Sequence, residues 1–104
     1  IARHYAPRAT VRLVDRDALT VSVRALPDAS RPRTALVTWS VREAMDGVAV
    51  HHRLPDDAAA YAAELYDTLH AVDDAGCEAV LVELPPLDAR WDGVRDRLTR
   101  AAHP

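Results

Sequence analysis

Glu78-Ala79-Val80-Leu81-Val82-Glu83-Leu84-Pro85-Pro86 is an apolar run entered just after Gly76 and closed by two prolines. Its apolar character is continuous rather than alternating, which marks a strand covered on both faces; in a small domain that means a parallel strand between helical layers. Helix-like segments flank it. Upstream, Ala58, Tyr61/Ala62, Leu65, Leu69 and Val72 recur at helical spacing behind a cap at Asp56 or Asp57, with Glu64, Asp67 and Asp74 facing outward and Gly76 ending the helix. Downstream, Trp91, Val94, Leu98 and Ala101 form the inward stripe of a helix predicted from about Asp88 to Ala101.

Further upstream the pattern repeats. Val11 to Asp15 reads as a first strand, Ala35 to Trp39 as a second and Val48 to Arg53 as a third, with Pro27 to Arg33 as a loop. Ser40-Val41-Arg42-Glu43 has the form of a capping box, so a short helix is expected from Ser40, ended by Gly47. Residues 17–26 are ambiguous. Leu19, Val23 and Leu26 make a helical stripe, whereas Leu19, Val21, Val23 and Ala25 alternate as in a strand. A parallel neighbour needs a crossover connection, and that favours the helix. Strand and helix thus alternate about four times, which predicts a three-layer α/β/α, Rossmann-like domain with a mainly parallel sheet of four to five strands and right-handed crossovers.

At 104 residues the chain is one domain. It contains no Phe, and only 5% of its residues are aromatic, so its core must come from many small aliphatic contacts. A net charge of −3 gives no field that would draw in nucleic acid or anionic lipid, and the charged fraction fits a cytoplasmic surface. All thirteen basic residues are Arg, which removes Schiff-base chemistry and a P-loop lysine. Cys77 stands alone and reads as a small buried thiol, excluding an internal disulfide or a Cys-based metal site within one chain. No apolar run approaches the roughly 18 residues of a membrane span, and no signal-peptide pattern is present. The start at Ile1 rather than Met reads as a segment of something longer.

In an open parallel sheet, ligands bind at the carboxyl ends of the strands, here Asp15, Trp39-Ser40, His52-Arg53 and Glu83. Asp15, Ser40, Arg53 and Glu83 are therefore the candidate crevice residues. Strand ends are also polar simply because they meet water and cap helices. Gly47, Gly76 and Gly93 do not lie between a strand and a helix start, so dinucleotide and Walker loops are both absent. His51 and His52 are consecutive strand residues on opposite faces and cannot share one ion, so no metal is expected. Leu13-Val14-Asp15-Arg16-Asp17 loosely resembles the acidic start of phosphoreceiver domains, but the lysine those domains use is missing.

Residues 1–10 lack periodicity and read as an extended arm, with Pro7 holding Ala6 out of the α region. The order Arg3-His4-Tyr5-Ala6-Pro7 before a strand resembles the interdomain linker of Sua5-type threonylcarbamoyl-AMP synthases, which leads from a YrdC-like catalytic domain into a small C-terminal Sua5 domain. The likeness continues through Leu54-Pro55-Asp56-Asp57, Tyr61-Ala62, Leu65-Tyr66, Leu69, Val80 to Glu83 and Val94 to Leu98, and is poor over residues 16–53. The basic residue and Tyr that usually precede the motif are replaced here by Ile1 and Ala2. The resemblance divides the chain into a linker arm, 1–10, and a Sua5-like domain, 11–104. It implies that Arg3, His4 and Tyr5 act as a lid over the active site of the catalytic domain, whether that domain lies upstream in cis or is supplied in trans. It also implies that this domain has no catalytic residue or cofactor of its own: ATP, and any Mg accompanying it, belongs to the catalytic domain. The alternatives are a free-standing Sua5-like module docking on a separate catalytic partner, and an unrelated small nucleotide-binding domain.

Overall fold

The computed structural model describes residues 6–103. Four strands, β1 (Thr10–Val14), β2 (Thr34–Thr38), β3 (Val50–Arg53) and β4 (Ala79–Glu83), form one sheet in the order β1-β4-β2-β3, every pair parallel. The apolar run is therefore an interior strand with ladders on both sides. Val80, Leu81 and Val82 are fully buried, as β-branched and Leu side chains between two covering layers must be.

The three helices divide between the faces. Val11, Ala35, Val37, Val80 and Val82 share a core with α2 (Ala58–Asp74) and α3 (Asp92–Ala102). Val14, Leu36 and Leu81 pack instead with Leu19 and Val23 of α1 (Leu19–Arg24), and with Val41, Met45 and Val48 of the β2–β3 connection. This is the expected three-layer arrangement. The β1–α1–β2 and β3–α2–β4 crossovers run in opposite directions across the sheet and lie on opposite faces, so they share one hand.

The ambiguous stretch is helical: a 3-10 turn at Arg16–Ala18 leads into α1, with Leu19 and Val23 buried and Val21 exposed. The helical stripe prevails because only one face of the segment meets the sheet. α2 is capped by Asp57, whose carboxylate accepts from the Ala60 amide, and Gly76 follows its end at a φ of +78°. The last helix is preceded by a 3-10 turn at Ala89–Trp91.

One expected element is missing. Residues 40–49 form no helix, and the capping-box residues are engaged elsewhere. The Ser40 amide and hydroxyl donate to Glu83, and the Val41 carbonyl accepts from the Thr38 hydroxyl at 2.8 Å. The Met45 amide donates to His51 Nδ1 at 3.4 Å. Tertiary bonds thus outcompete the local box. Gly47 is not a helix cap: its φ is +92°, its carbonyl accepts from Arg31, and an added Cβ would lie 2.5 Å from the Arg31 guanidinium. The third strand starts at Val50 rather than Val48, and the first spans Thr10–Val14 rather than Val11–Asp15.

Candidate functional site

The carboxyl ends of the two inner strands meet at Glu83. Its side chain is 1% exposed, and its Oε1 accepts from the amides of Trp39 (2.9 Å) and Ser40 (3.0 Å), while Oε2 accepts from the Ser40 hydroxyl. The carboxylate thereby closes the turn leaving β2, and its charge is held by three donors rather than by a cation. Trp39 crosses back over β4, donating its indole N–H to the Leu84 carbonyl at 2.8 Å. Its ring lies 5.8 Å from that of Trp91, which meets Tyr61 edge-on at 5.3 Å.

Tyr61 is fully buried, and among the described residues its hydroxyl has no hydrogen-bond partner. Burial, and after it the charge of Glu83, pushes the phenol well above its ordinary range. It is a neutral hydroxyl that ordinary pH does not ionise.

Of the four crevice candidates, Ser40 and Glu83 are brought into contact. Asp15 and Arg53 are exposed at the ends of β1 and β3, the two sheet edges, separated by β4 and β2. With about 4.8 Å between neighbouring strands, roughly 14 Å of sheet lies between them, too far to grip one small group together. Arg53 is turned onto the Arg42 carbonyl (3.2 Å), while Arg42 reaches the Leu54 carbonyl (2.7 Å), a pair of clamps that holds the β2–β3 connection against the end of β3.

His51 holds the same connection. The Thr38 hydroxyl uses its proton on the Val41 carbonyl, so the 2.8 Å contact between Thr38 and His51 Nε2 must be an Nε2–H donation, which leaves Nδ1 to accept from Met45. Burial first, then the positive charges of Arg53, His52 and Arg42, holds the imidazole below its ordinary pKa. It is a neutral latch, not a ligand. His52 is likewise lowered by burial. Among the described residues, no three His, Cys, Asp or Glu side chains stand together for a metal ion. Burial, with the Asp73 charge second, pushes the Cys77 thiol up, the opposite of what a nucleophile needs.

Beside these residues lies a cleft of about 550 Å³ between the first turn of α2 and residues 86–97, with Ala58, Ala62, Trp91 and Val94 below and Asp57, Arg97 and other charged residues at its rim. Sequence reading missed it. A cap at Asp56 or Asp57 and the inward Trp91 were both legible, but their meeting depends on how α2 and α3 pack side by side.

At the other end of the sheet the arm is fastened. The amides of Arg8 and Ala9 donate to Asp73 Oδ2 and Oδ1, each at 3.0 Å, and the Thr10 amide donates to the Glu78 carbonyl at 2.9 Å. Arg3, His4 and Tyr5 lie outside the described residues.

Among the described residues no helix is long and apolar enough to cross a membrane. The family model described as threonylcarbamoyl-AMP synthase, C-terminal domain, matches residues 1–103. Searches of curated proteins and of solved structures each returned no match.

Proposed function

This chain belongs to the family of threonylcarbamoyl-AMP synthase C-terminal domains, and on that premise we propose that it is an accessory module of such a synthase, working through its arm on a YrdC-like catalytic domain. The observation that carries the reading is the extent of the match: it takes in the Arg3-His4-Tyr5-Ala6-Pro7 arm together with the folded domain. The reaction joins threonine, bicarbonate and ATP into threonylcarbamoyl-AMP with release of pyrophosphate, for N6-threonylcarbamoyladenosine in tRNA. ATP, and any Mg with it, binds the catalytic domain.

The arm serves as a lid. The Arg3 guanidinium suits a phosphate or carboxylate, and the Tyr5 ring can stack while its phenol hydrogen-bonds. Tethered to a folded domain, these groups act at high effective concentration on a neighbouring active site and keep water from a labile adenylate. The domain's own polar residues support an accessory role, because Glu83 is taken up by Trp39 and Ser40 and His51 by Thr38 and Met45.

Pyrophosphate release from ATP with threonine and bicarbonate tests this. The isolated chain is expected to be inactive, the chain joined to its catalytic domain active, and the joined protein with Arg3, His4 and Tyr5 replaced by Ala slower and leakier. Activity in the isolated chain would overturn the accessory reading, and full activity in the triple variant would remove the lid. Supplying the catalytic domain as a separate chain distinguishes docking in trans from covalent linkage.

A further inference from the structure

If the residues upstream of Arg8 work on a neighbouring active site, what fixes their base is a functional matter. Three consecutive amides are held there, those of Arg8 and Ala9 by the two oxygens of Asp73 and that of Thr10 by the Glu78 carbonyl. A carboxylate that takes two neighbouring amides, one on each oxygen, sets direction as well as position, whereas one bond would leave a swivel. Pro7 extends the restraint, since its ring fixes its own φ and keeps Ala6 extended.

Asp73 also stands where helix energetics disfavour it. It lies in the last turn of α2, a turn with no basic residue, so its charge faces the negative end of the helix dipole. It further raises the pKa of the neighbouring Cys77 thiol. A local rule broken at a position that grips the entering chain marks a residue kept for that grip.

We propose that Asp73 is a positioning residue of the synthase reaction: by clamping the amides of Arg8 and Ala9, it presents the arm to the catalytic domain from one point and in one direction. The inference rests on the lid reading. Arg3, His4 and Tyr5 lie within five residues of Arg8, at most about 17 Å of chain, so the fastening point decides which active-site atoms they meet. Without Asp73 the fixed point retreats from Arg8 to Thr10, so the chain behind Tyr5 lengthens from about three residues to about five, and with effective concentration falling as about the −3/2 power of length the loss is about twofold.

The test uses the chain joined to its catalytic domain, with Asp73→Asn and Asp73→Ala, and Leu69→Ala as a control that weakens the core but leaves the clamp. Amide hydrogen exchange at Arg8 and Ala9 is expected to accelerate at least tenfold in Asp73→Ala while Arg12 and Val14, whose amides point with that of Thr10 toward β4, stay protected. Turnover is expected to fall about twofold, with KM for ATP and threonine unchanged and Tm of Asp73→Asn not lowered; Leu69→Ala should lower Tm and leave turnover alone. Unchanged exchange at Arg8 and Ala9, or unchanged turnover in both Asp73 variants while the Arg3/His4/Tyr5 triple variant is impaired, overturns the clamp alone. A fully active triple variant removes the lid reading, and the clamp's role with it.

Discussion

Two buried polar residues, Glu83 and Tyr61, invite opposite substitutions. Glu83→Ala leaves the Trp39 and Ser40 amides without the buried carboxylate that accepts from them, so urea unfolding should show a loss of about 2–6 kcal/mol, built from about 1–3 kcal/mol for each stranded donor. Tyr61→Phe removes a hydroxyl that has no partner among the described residues, so stability should stay level or rise by up to about 1 kcal/mol; a loss of about 2 kcal/mol or more would mean that the hydroxyl is hydrogen-bonded. The same phenol sets an alkaline limit. Its folded pKa is raised, so the unfolded chain gives up the proton first. The stability tied to it is whole below the unfolded value near pH 10 and falls by about 1.4 kcal/mol for each further pH unit. Phenolate absorbance from Tyr61 should therefore appear only with unfolding.

Among the elements, β4 and the β2–β3 connection stand at the two extremes. Leu81, fully buried against Leu36, Leu19 and Val23, should cost about 2–5 kcal/mol on truncation to Ala, read by denaturant midpoint. Tolerance within a few tenths would be incompatible with an interior strand. The connection is held by side chains, and His51 makes it sensitive to acid. The folded pKa of His51 is lowered, so its contribution is whole above the unfolded value near pH 6.5 and declines as pH falls toward the folded value. The protection of the Met45 amide, measured against its intrinsic exchange rate at each pH, should fall on going from pH 7 to pH 5, and that change should vanish in His51→Gln. The contrast also explains what the sequence could convey. β4 is legible as a continuous apolar run because both its faces are buried, α2 and α3 because one buried face imposes a helical period, and the pair Asp56-Asp57 announces a cap. The connection misleads because Ser40 and Glu43 match a local motif while the partners that claim Ser40 and Met45, Glu83 and His51, come from other strands. Glu83 was legible as a strand-end residue, but its engagement by Trp39 and Ser40 was not, since that follows from β4 lying beside β2.

For the molecule as a whole, the clamp at Asp73 and the strand-end residues lie at opposite ends of the sheet. Thr10 to Val14 spans about 13 Å, added to the stretch from Arg8 to Thr10, so the arm and the Asp15–Glu83 end serve separate surfaces. A nucleotide that protects the Ser40 or Glu83 region from exchange should leave Arg8 and Ala9 unaffected, as two-dimensional NMR of the chain would reveal.

The strand order has one more consequence, for how the protein is made. Of the four strands β1 is synthesised first, yet among the described residues its only ladder partner is β4, about seventy residues later, and both groups that hold the base of the arm, Asp73 and Glu78, come with that second half. At ribosomal rates of about 5–20 residues per second, β1 waits roughly 3–14 s for its neighbour to be translated. The grip on the arm is thus a late event in the life of each chain, and it exists only in copies translated through β4.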